Sequence, residues 1–445
     1  MKTSDKTEPE GKSGLRFIWR ALDSRNYRLY FGGQGISLIG TWMQRIAQSW
    51  LVYRLTDSVF LLGLVGFSTQ IPTFLAAPLA GVIIDRRNRY HILIVTQILA
   101  TIQALILAIL VLTNYVQIWH IIVLGVILGL INAFDMPSRQ SLLVEMIERR
   151  EDLGNAIALN STMVNGARLI GPTIAGLMIS VMGEGACFLL NAVSFFAVIM
   201  ALLAMRLKTG SNRKRGARVI SDFVEGFKYA YGFPPIRSIL LLLALVSLMG
   251  MPYAVLMPVF ARDILHGGPH TLGFLMGAVG TGALVGAIYL ASRKTVLGLG
   301  SIVGYAAGTF GAGLILFSLS RHQWVSLVLL FFVGMGMMLQ MAASNTILQT
   351  IVDDDKRGRV MSFYAMSFFG MAPLGSIIAG SLGSRIGTSN TVMLGGICCI
   401  IGTLFYMYRL PSLTKLVRPI YVKKGVMPEV AAGLQAANSM NELPK

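Results

Sequence analysis

Charged residues are scarce in this chain of 445 residues, of which they make up only 13%. In a soluble domain, about a quarter of the residues are charged. Hydrophobic residues account for 54% of the chain, so the composition excludes a soluble domain and predicts an integral membrane protein. The formal net charge of +18 would suggest a nucleic-acid partner in a soluble protein, but here its distribution along the chain gives another explanation.

Catalytic and metal-binding motifs are also absent from the sequence. The three cysteines, Cys187, Cys398 and Cys399, lie in apolar runs and have no partner at a metal-ligand spacing, which indicates packing residues. The sequence contains no phosphate-binding loop, no His-Glu-x-x-His and no Gly-x-Ser-x-Gly. We therefore expect neither an enzyme nor a metal or cofactor site.

Long apolar runs are what the chain has in abundance. A spanning helix needs about 20 apolar residues because its backbone must be hydrogen-bonded internally in lipid. We predict an all-α integral membrane fold with twelve transmembrane helices. The predicted spans are 28–53, 59–84, 90–113, 117–138, 153–182, 185–205, 237–263, 270–291, 297–319, 323–346, 358–383 and 388–408.

The positive charges lie on one side of these spans. With a cytoplasmic N-terminus, thirty-two lysines and arginines fall on the cytoplasmic side and four on the other. This asymmetry predicts cytoplasmic N- and C-termini in a bacterial-type inner membrane. It also accounts for the net charge without a nucleic acid, so the expected partners are the lipid bilayer and a small molecule.

The two halves of the sequence resemble each other. Residues 153–176 align without gaps to residues 357–380, and six positions are identical, among them Gly154/Gly358 and Gly176/Gly380. This repeat predicts two pseudo-symmetric six-helix halves. The expected organisation is an N-terminal segment (1–25), a first half (26–207), a central cytoplasmic loop (208–236), a second half (237–410) and a cytoplasmic tail (411–445).

An amphipathic stretch lies in the central loop. Phe223, Phe227, Ala230 and Tyr231 fall on one face of a helix, which is typical of a segment lying along the membrane interface. A plain tether between the halves fits the same sequence equally well.

Several motifs resemble one known family. The stretch "GVIIDRRNR" (81–89) looks like the signature between the second and third helices of the major facilitator superfamily. "WMQRIAQSWLVYRLTDS", "NAFDMPSRQSLLVEMI" and "RGRVMSFYAMSFFGMAPLGS" resemble its enterobactin-exporter-like branch, whose members export siderophores, macrolides and other drugs. The resemblance implies a monomeric, proton-coupled secondary exporter whose halves rock around a central site.

The signature predicts a latch that joins the halves at the cytoplasmic side. Gly81, Asp85 and Arg89 share one helix face, and Asp85 can lie against the N-terminus of the eleventh span, while Arg89 can reach Asp135. The arginines also fit a simple role in membrane orientation. The expected latch residues are Gly81, Asp85, Arg86, Arg89, Asp135, Gly358 and Arg359.

Two spans contain proline beside glycine. A proline leaves one helical carbonyl without a donor, so bends are expected in the fifth and eleventh spans. The pattern is similar to the Gly-Pro motif of exporters, although ordinary tight packing also explains it. The expected kink residues are Gly171, Pro172, Gly370 and Pro373.

Two arginines, Arg45 and Arg168, lie deep within spans without an acid at the same depth. Each costs several kcal/mol in lipid, so both should face a cavity or pair with helix carbonyls. An unneutralised cavity favours an anionic, siderophore-like substrate; an amphipathic drug or macrolide and, less so, import of a metabolite are the alternatives. The expected cavity residues are Gln34, Thr41, Arg45, Gln48, Thr162, Asn165 and Arg168.

Overall fold

A computed structural model describes residues 19–206, 219–293 and 295–425 of the chain. It contains twelve long helices and one short one, and no strand occurs in the described ranges. Segments 1–18, 207–218 and 426–445, which belong to the predicted N-terminal segment, central loop and tail, lie outside them. The helices are α1 (Arg25–Thr56), α2 (Val59–Arg86), α3 (Arg89–Leu112), α4 (Ile118–Met146), α5 (Leu153–Met182), α6 (Glu184–Ala204), α7 (Val219–Gly232), α8 (Pro234–Ile264), α9 (Pro269–Ser292), α10 (Leu299–Leu319), α11 (Gln323–Ile351), α12 (Arg357–Ile386) and α13 (Thr388–Lys423).

Eleven of these helices are long and apolar enough to cross a membrane. The twelfth span is α1, which is 32 residues long but carries Gln34, Gln44, Arg45 and Gln48. It packs between α5 and α6, so its polar residues are accommodated inside the bundle rather than in lipid. The predicted twelve-span helical fold is therefore confirmed, with α7 as an additional short helix between the halves.

The last helix continues beyond its predicted end. The tail was expected to begin at residue 411, but α13 runs to Lys423 through Pro411 and Pro419. Leu413 and Val417 are buried, and this packing compensates for the hydrogen bonds that the two prolines cannot donate. The predicted boundary at 410/411 therefore falls within a helix.

The two halves, α1–α6 and α8–α13, meet through equivalent helices. The second helix of the first half, α2, packs on α12, the fifth helix of the second half. The fifth helix of the first half, α5, packs on α9, the second helix of the second half. This reciprocal second-to-fifth contact is what a pseudo-twofold axis between two copies of one repeat produces.

A pair of glycines lies at each of these two contacts. A β-carbon added to Gly63 would be 2.7 Å from the Cα of Gly380, and one added to Gly176 would be 2.8 Å from the Cα of Gly273. Real β-carbons do not approach other atoms so closely, so only glycine permits this backbone contact. Gly176 and Gly380, identical in the sequence repeat, thus occupy equivalent positions in the two halves.

The contact between the halves is tight at one end of the bundle only. We call the end where α1 begins and α13 ends the terminal end, and the opposite end the distal end. Both glycine pairs lie within about two turns of the distal helix ends. Near the terminal end, a β-carbon added to Gly81, Gly154 or Gly358 would meet no described atom within 4 Å. The close contacts between the halves therefore lie toward the distal end, and we infer that the structure is open at the terminal end.

A buried amide network joins three helices of the first half. Asn191 of α6 donates to Gln44 of α1 at 2.7 Å, and Gln44 donates to Gln103 of α3 at 3.2 Å. All three side chains are at most 2% exposed, so breaking one bond would leave a buried polar group without a partner. The network therefore ties α1, α3 and α6 of the first half together.

We predict that Gly176→Ala weakens distal closure. Its β-carbon would lie 2.6 Å from the Pro269 carbonyl oxygen, and overpacking of this kind costs ~1–3 kcal/mol. Spin labels at the exposed distal residues Tyr115 and Trp324 should report roughly tenfold more of the wide-distance population in double electron–electron resonance.

Gly154→Ala is the matched control, because it makes the same change in the same helix where the structure has room. It should leave the distal distances unchanged. Equal distance distributions for Gly176→Ala and the unmodified protein would show that the glycine contact does not determine closure.

Candidate substrate site and gates

Two cations and one aromatic ring form a cluster inside the bundle. The guanidinium carbon of Arg45 lies 4.9 Å, and that of Arg168 5.3 Å, from the centre of the Trp42 ring. A cation this close to an indole is attracted by its π face. The ring thus holds two guanidinium groups, one from α1 and one from α5, in the same place.

A close approach of α5 to α1 creates this cluster. A β-carbon on Gly171 would lie 2.5 Å from the Trp42 β-carbon, so glycine is needed for the two helices to touch here. Arg168 is one turn before Gly171 on α5, and Arg45 is one turn after Trp42 on α1. The predicted kink residue Gly171 therefore has a second role, because it brings the two arginines together.

Among the described residues, no acid neutralises the two arginines. Neither forms an ion pair with a described acidic residue, and their like charges act on each other. The Nε and Nη1 atoms of Arg168 are buried without a hydrogen-bond partner. Arg45 is exposed. The cluster thus carries an excess of positive charge, which supports the prediction that it lines the substrate cavity.

The second half contributes a hydroxyl to the same region. Tyr253 of α8 is close enough to Arg168 for the two groups to interact electrostatically. Tyr253 is only 4% exposed, and its ring packs against Phe310 at a centroid distance of 6.1 Å. Arg168 of the first half thus has a neighbour from the second half, so movement of one half against the other changes its surroundings.

The other predicted cavity residues do not all face this cluster. Gln34 and Gln48 are buried at 3% and 8% exposure. Gln48 lies where α4 comes close, 3.9 Å from a β-carbon built on Gly125. Thr41 donates its hydroxyl to the Ser37 carbonyl at 2.9 Å. These polar residues of α1 thus contribute to helix packing as well as to the predicted cavity.

The predicted α5 residues differ in the same way. Asn165 is 8% exposed, and its amide donates to the Ser161 carbonyl at 2.9 Å. Thr162 is exposed, and its hydroxyl donates to the Ala158 carbonyl at 3.0 Å. The structure therefore brings together Arg45 and Arg168, with Trp42, which the sequence analysis missed.

The described residues of the first-half part of the predicted latch have partners within their own half. Arg89 pairs with Glu145 at 3.1 Å, and Arg86 is exposed; the side chain of Asp85 lies outside the described part. The expected Arg89 partner, Asp135, is instead held by Arg139 in the same helix. Asp135 also accepts hydrogen bonds from Thr96 at 3.1 Å and Gln97 at 2.6 Å.

The second-half part of the latch is occupied by the linker helix α7. Arg359 pairs with Glu225 of α7 at 2.8 Å. Phe227 lies 6.1 Å from Phe363 between ring centres, and the Tyr229 hydroxyl donates to Asp353 at 3.3 Å. Burial raises the pKa of Tyr229, so this hydroxyl remains a donor. The linker helix therefore packs on the second half and is not a plain tether between the halves.

One detail of the linker helix differs from the sequence prediction. Ala230 was placed on the same face as the aromatic residues, but it is 4% exposed, whereas Phe227 and Tyr231 are 52% and 59% exposed. Ala230 lies at the edge of the face and packs inward because it is small. The exposed face consists of Phe227 and Tyr231, whose rings stack at 5.8 Å.

A polar gate closes the distal end. Arg262 at the end of α8 pairs with Asp57 at the end of α1, at 2.5 Å. Its guanidinium also lies 5.5 Å from the Tyr53 ring centre, and the Tyr53 hydroxyl donates to Asp263. These four side chains, two from each half, fasten the halves together beyond the glycine pairs. Sequence analysis missed them, because no pattern indicates which distal loops meet.

The helices facing the cavity contain local irregularities. In α12 a π-helical turn spans Met366–Gly370, directly before Pro373, and α8 has two such turns, at Val246–Gly250 and Phe260–Ile264. A π turn accommodates a helix where the regular hydrogen-bond ladder is interrupted. In α5, by contrast, the helix continues through Pro172. The irregular helices α8 and α12 thus both contact the first half, whereas α9, which also contacts it, is a regular helix.

The fold and the cavity define a membrane transporter of the major facilitator type. Similar solved structures include a bacterial homologue of the lysosomal transporter Spinster, described as inward-facing and unoccupied. It has a TM-score of 0.65 and 14% identity, with 88% of this chain and 98% of that one covered. A bacterial homologue of the iron transporter ferroportin, also described as inward-facing, has a TM-score of 0.65 and 17% identity. The match covers 87% of this chain and 98% of that one. At these identities the likeness concerns the fold.

The family is shown by a match over nearly the whole chain. Residues 18–434 match the transmembrane secretion effector family, and the protein belongs to this family of the major facilitator superfamily. The staphyloferrin A transporter of Staphylococcus aureus is 25% identical, covering 86% of this chain and 95% of that protein. The multidrug efflux pump Tap of Mycolicibacterium fortuitum is 26% identical, and the match covers 81% of this chain and 88% of that protein. The relatives are transporters rather than enzymes.

We predict that Glu225→Gln shifts the protein toward closure at the terminal end. The change removes an ionic partner of Arg359, so that Arg359 becomes more available to the latch. An exposed ion pair contributes ~1 kcal/mol at most, so the terminal-closed population should rise up to about fivefold. Asp85→Asn should shift it in the opposite direction. Spin labels at Arg149 and Asp355, both exposed at the terminal end, measure the change.

Glu148→Gln provides the control, since it neutralises another exposed acid at the terminal end away from α7. It should leave the distances unaltered. If Glu225→Gln and Asp85→Asn shifted the distribution in the same direction, Arg359 would not be exchanging between these two partners.

Proposed function

We propose that the protein is a secondary exporter that moves a small organic anion out of the cell by alternating access. The observation that carries the proposal is the pair Arg45 and Arg168, which meet at Trp42 without an acid. Two like charges at this depth are costly, and a bound anion would offset both their desolvation and their repulsion.

The direction of transport follows from the proposed orientation. Thirty-two of the lysines and arginines flank the terminal ends of the helices and four the distal ends, so we place the terminal end in the cytoplasm. The state described here would then be open to the cytoplasm and ready to load substrate. Outward release requires the distal gate of Asp57 and Arg262 to open and the Asp85–Arg359 latch to form.

Proton coupling is the energy source that the family resemblance implies. Antiport requires an acid that changes its surroundings between the two states. Asp135 is 3% exposed and lies on α4, where it accepts hydrogen bonds from Thr96 and Gln97 of α3. We propose it as the acid of the coupling step, with Arg139 as its partner in the terminal-open state.

Efflux of drugs is the second candidate function, because two kinds of relative carry drug names. Besides Tap, the macrolide efflux protein A of Streptococcus pyogenes is 20% identical and covers 84% of this chain. A cationic drug would meet two arginines and no described acid at the cluster, whereas an anion would find compensating charge. The cavity therefore favours the anionic substrate, and a relative named for staphyloferrin A is consistent with a siderophore-like molecule.

We predict that Arg168→Gln impairs export of an anionic compound more than that of a cationic one. Removing a charge that contacts the substrate should lower transport of the anion about tenfold or more, since hydrogen bonds to charged groups contribute ~1.5–3 kcal/mol. Arg45→Gln should also lower transport of the anion more than that of the cation. Efflux from proteoliposomes loaded with one anion and one cation, at matched protein content, provides the measurement.

Arg168→Lys distinguishes charge from geometry. It should restore part of the anion transport if charge alone matters, and none if the planar guanidinium must stack on Trp42. Equal losses for anion and cation in Arg168→Gln would mean that the arginine is structural, and the proposed substrate class would be rejected.

We also predict that the terminal end faces the cytoplasm. Cysteines introduced at the distal residues Tyr115 and Trp324 should react with an impermeant maleimide in intact cells, because both side chains are more than 75% exposed. Cysteines at the terminal residues Arg149 and Asp355 should react only after permeabilisation. The reverse pattern would contradict the orientation and, with it, the direction of export.

A further inference from the structure

A groove of about 670 Å³ lies on the outer surface of the first half, away from the arginine cluster. It is bounded by the terminal end of α2, the first part of α3 and the middle of α4. The helices α2 and α3 diverge from their connecting turn, since α2 packs on α4 and α3 packs mainly on α6. Between them the surface of α4 forms the floor, with Ile127 and Leu130 exposed.

The walls of this groove are apolar and face the bilayer. Ile83, Val95 and Leu99 are between 44% and 53% exposed, although each lies within a span. In a membrane protein such side chains contact lipid chains. The groove is therefore a place where hydrocarbon enters the outline of the protein, and its volume lies in the range of binding pockets rather than surface roughness.

The mouth of the groove is positively charged. Arg87 and His91 line it at the terminal end, both exposed, and Arg86 is exposed on the adjoining turn. The nearby Arg89 is compensated by Glu145. Between residues 85 and 91 the chain has three arginines and one acid, Asp85. The apolar groove thus ends in an excess of cations at the level where lipid phosphates lie.

We propose that the groove binds one anionic phospholipid, with an acyl chain along α3 and α4 and its phosphate at Arg87 and His91. The apolar length requires a hydrocarbon chain, and the cationic mouth selects a headgroup with net negative charge. Such a lipid would rest against the turn that carries the predicted latch residues Asp85 and Arg89. This site is separate from the transport cavity and does not depend on the proposed substrate.

The test uses the full-length protein in nanodiscs that contain phosphatidylcholine and a small fraction of one photoactivatable lipid. The probe is phosphatidylglycerol or phosphatidylcholine with a diazirine in its acyl chain, and labelled peptides are mapped by mass spectrometry. We expect labelling of residues 83–99 and 127–134 by phosphatidylglycerol to exceed that by phosphatidylcholine about fivefold, which corresponds to ~1 kcal/mol for one interfacial cation.

Variants locate the two parts of the lipid. Arg87→Gln combined with His91→Gln should reduce phosphatidylglycerol labelling of the groove to the phosphatidylcholine level. Arg385→Gln, which removes an exposed cation at the distal end, should have no effect. Leu130→Trp fills the floor of the groove and should reduce labelling by both lipids, and it provides a test of its own if the double variant does not fold.

Three results would overturn the proposal. One is equal labelling of the groove by the two lipids, and another is a phosphatidylglycerol preference that survives both the mouth and the floor substitutions. The third is crosslinking of the groove to a second copy of the chain in place of lipid, which would identify a protein interface.

Discussion

Two arginines that lack a counter-charge in the middle of a membrane bundle are the constraint on which the rest of the structure depends. Arg45 and Arg168 can stay charged only if water, an aromatic face or an anion stabilises them. The structure supplies an aromatic face, the Trp42 ring, and the exposure of Arg45 gives water access to one of the two charges. An anion that binds there replaces the water, and its release requires that the cavity open elsewhere. The need to compensate these charges thus links substrate choice to alternating access.

The contacts between the halves are suited to such an alternation. At the distal end, glycine pairs bring backbones together without side chains that would have to interlock, and the Asp57–Arg262 pair can separate at small cost because both residues are partly exposed. At the terminal end, Arg359 is held by Glu225 while the latch is open. Both ends are therefore fastened by a few exchangeable ion pairs, while the buried amide network ties three helices of the first half together. Small differences in free energy between the states follow from this design.

The fold could be predicted from the sequence because lipid permits few alternatives. A backbone that must satisfy its own hydrogen bonds forms helices, and the number of long apolar runs gives the number of helices. The repeat containing Gly176 and Gly380 fixed the equivalence of the halves. The arginines could be predicted as a pair because no other intramembrane charge shares their depth. The orientation of Gln34 and Gln48 could not be predicted, since helical periodicity groups residues on one face but does not show whether that face lines a cavity or a neighbouring helix. Arg262 and Glu225 were missed because their contacts join segments that are distant in sequence.

Binding of a charge-matched pair of compounds to the arginine cluster tests the account most directly. In a variant that retains Trp42 as its single tryptophan, fluorescence would report binding of an organic carboxylate and of its neutral methyl ester to the purified protein. The account predicts that the carboxylate binds at least tenfold more tightly than the ester, and that Arg168→Gln removes this preference. Equal affinities for the two compounds, or a preference that persists in Arg168→Gln, would contradict the claim that the uncompensated arginines select an anion.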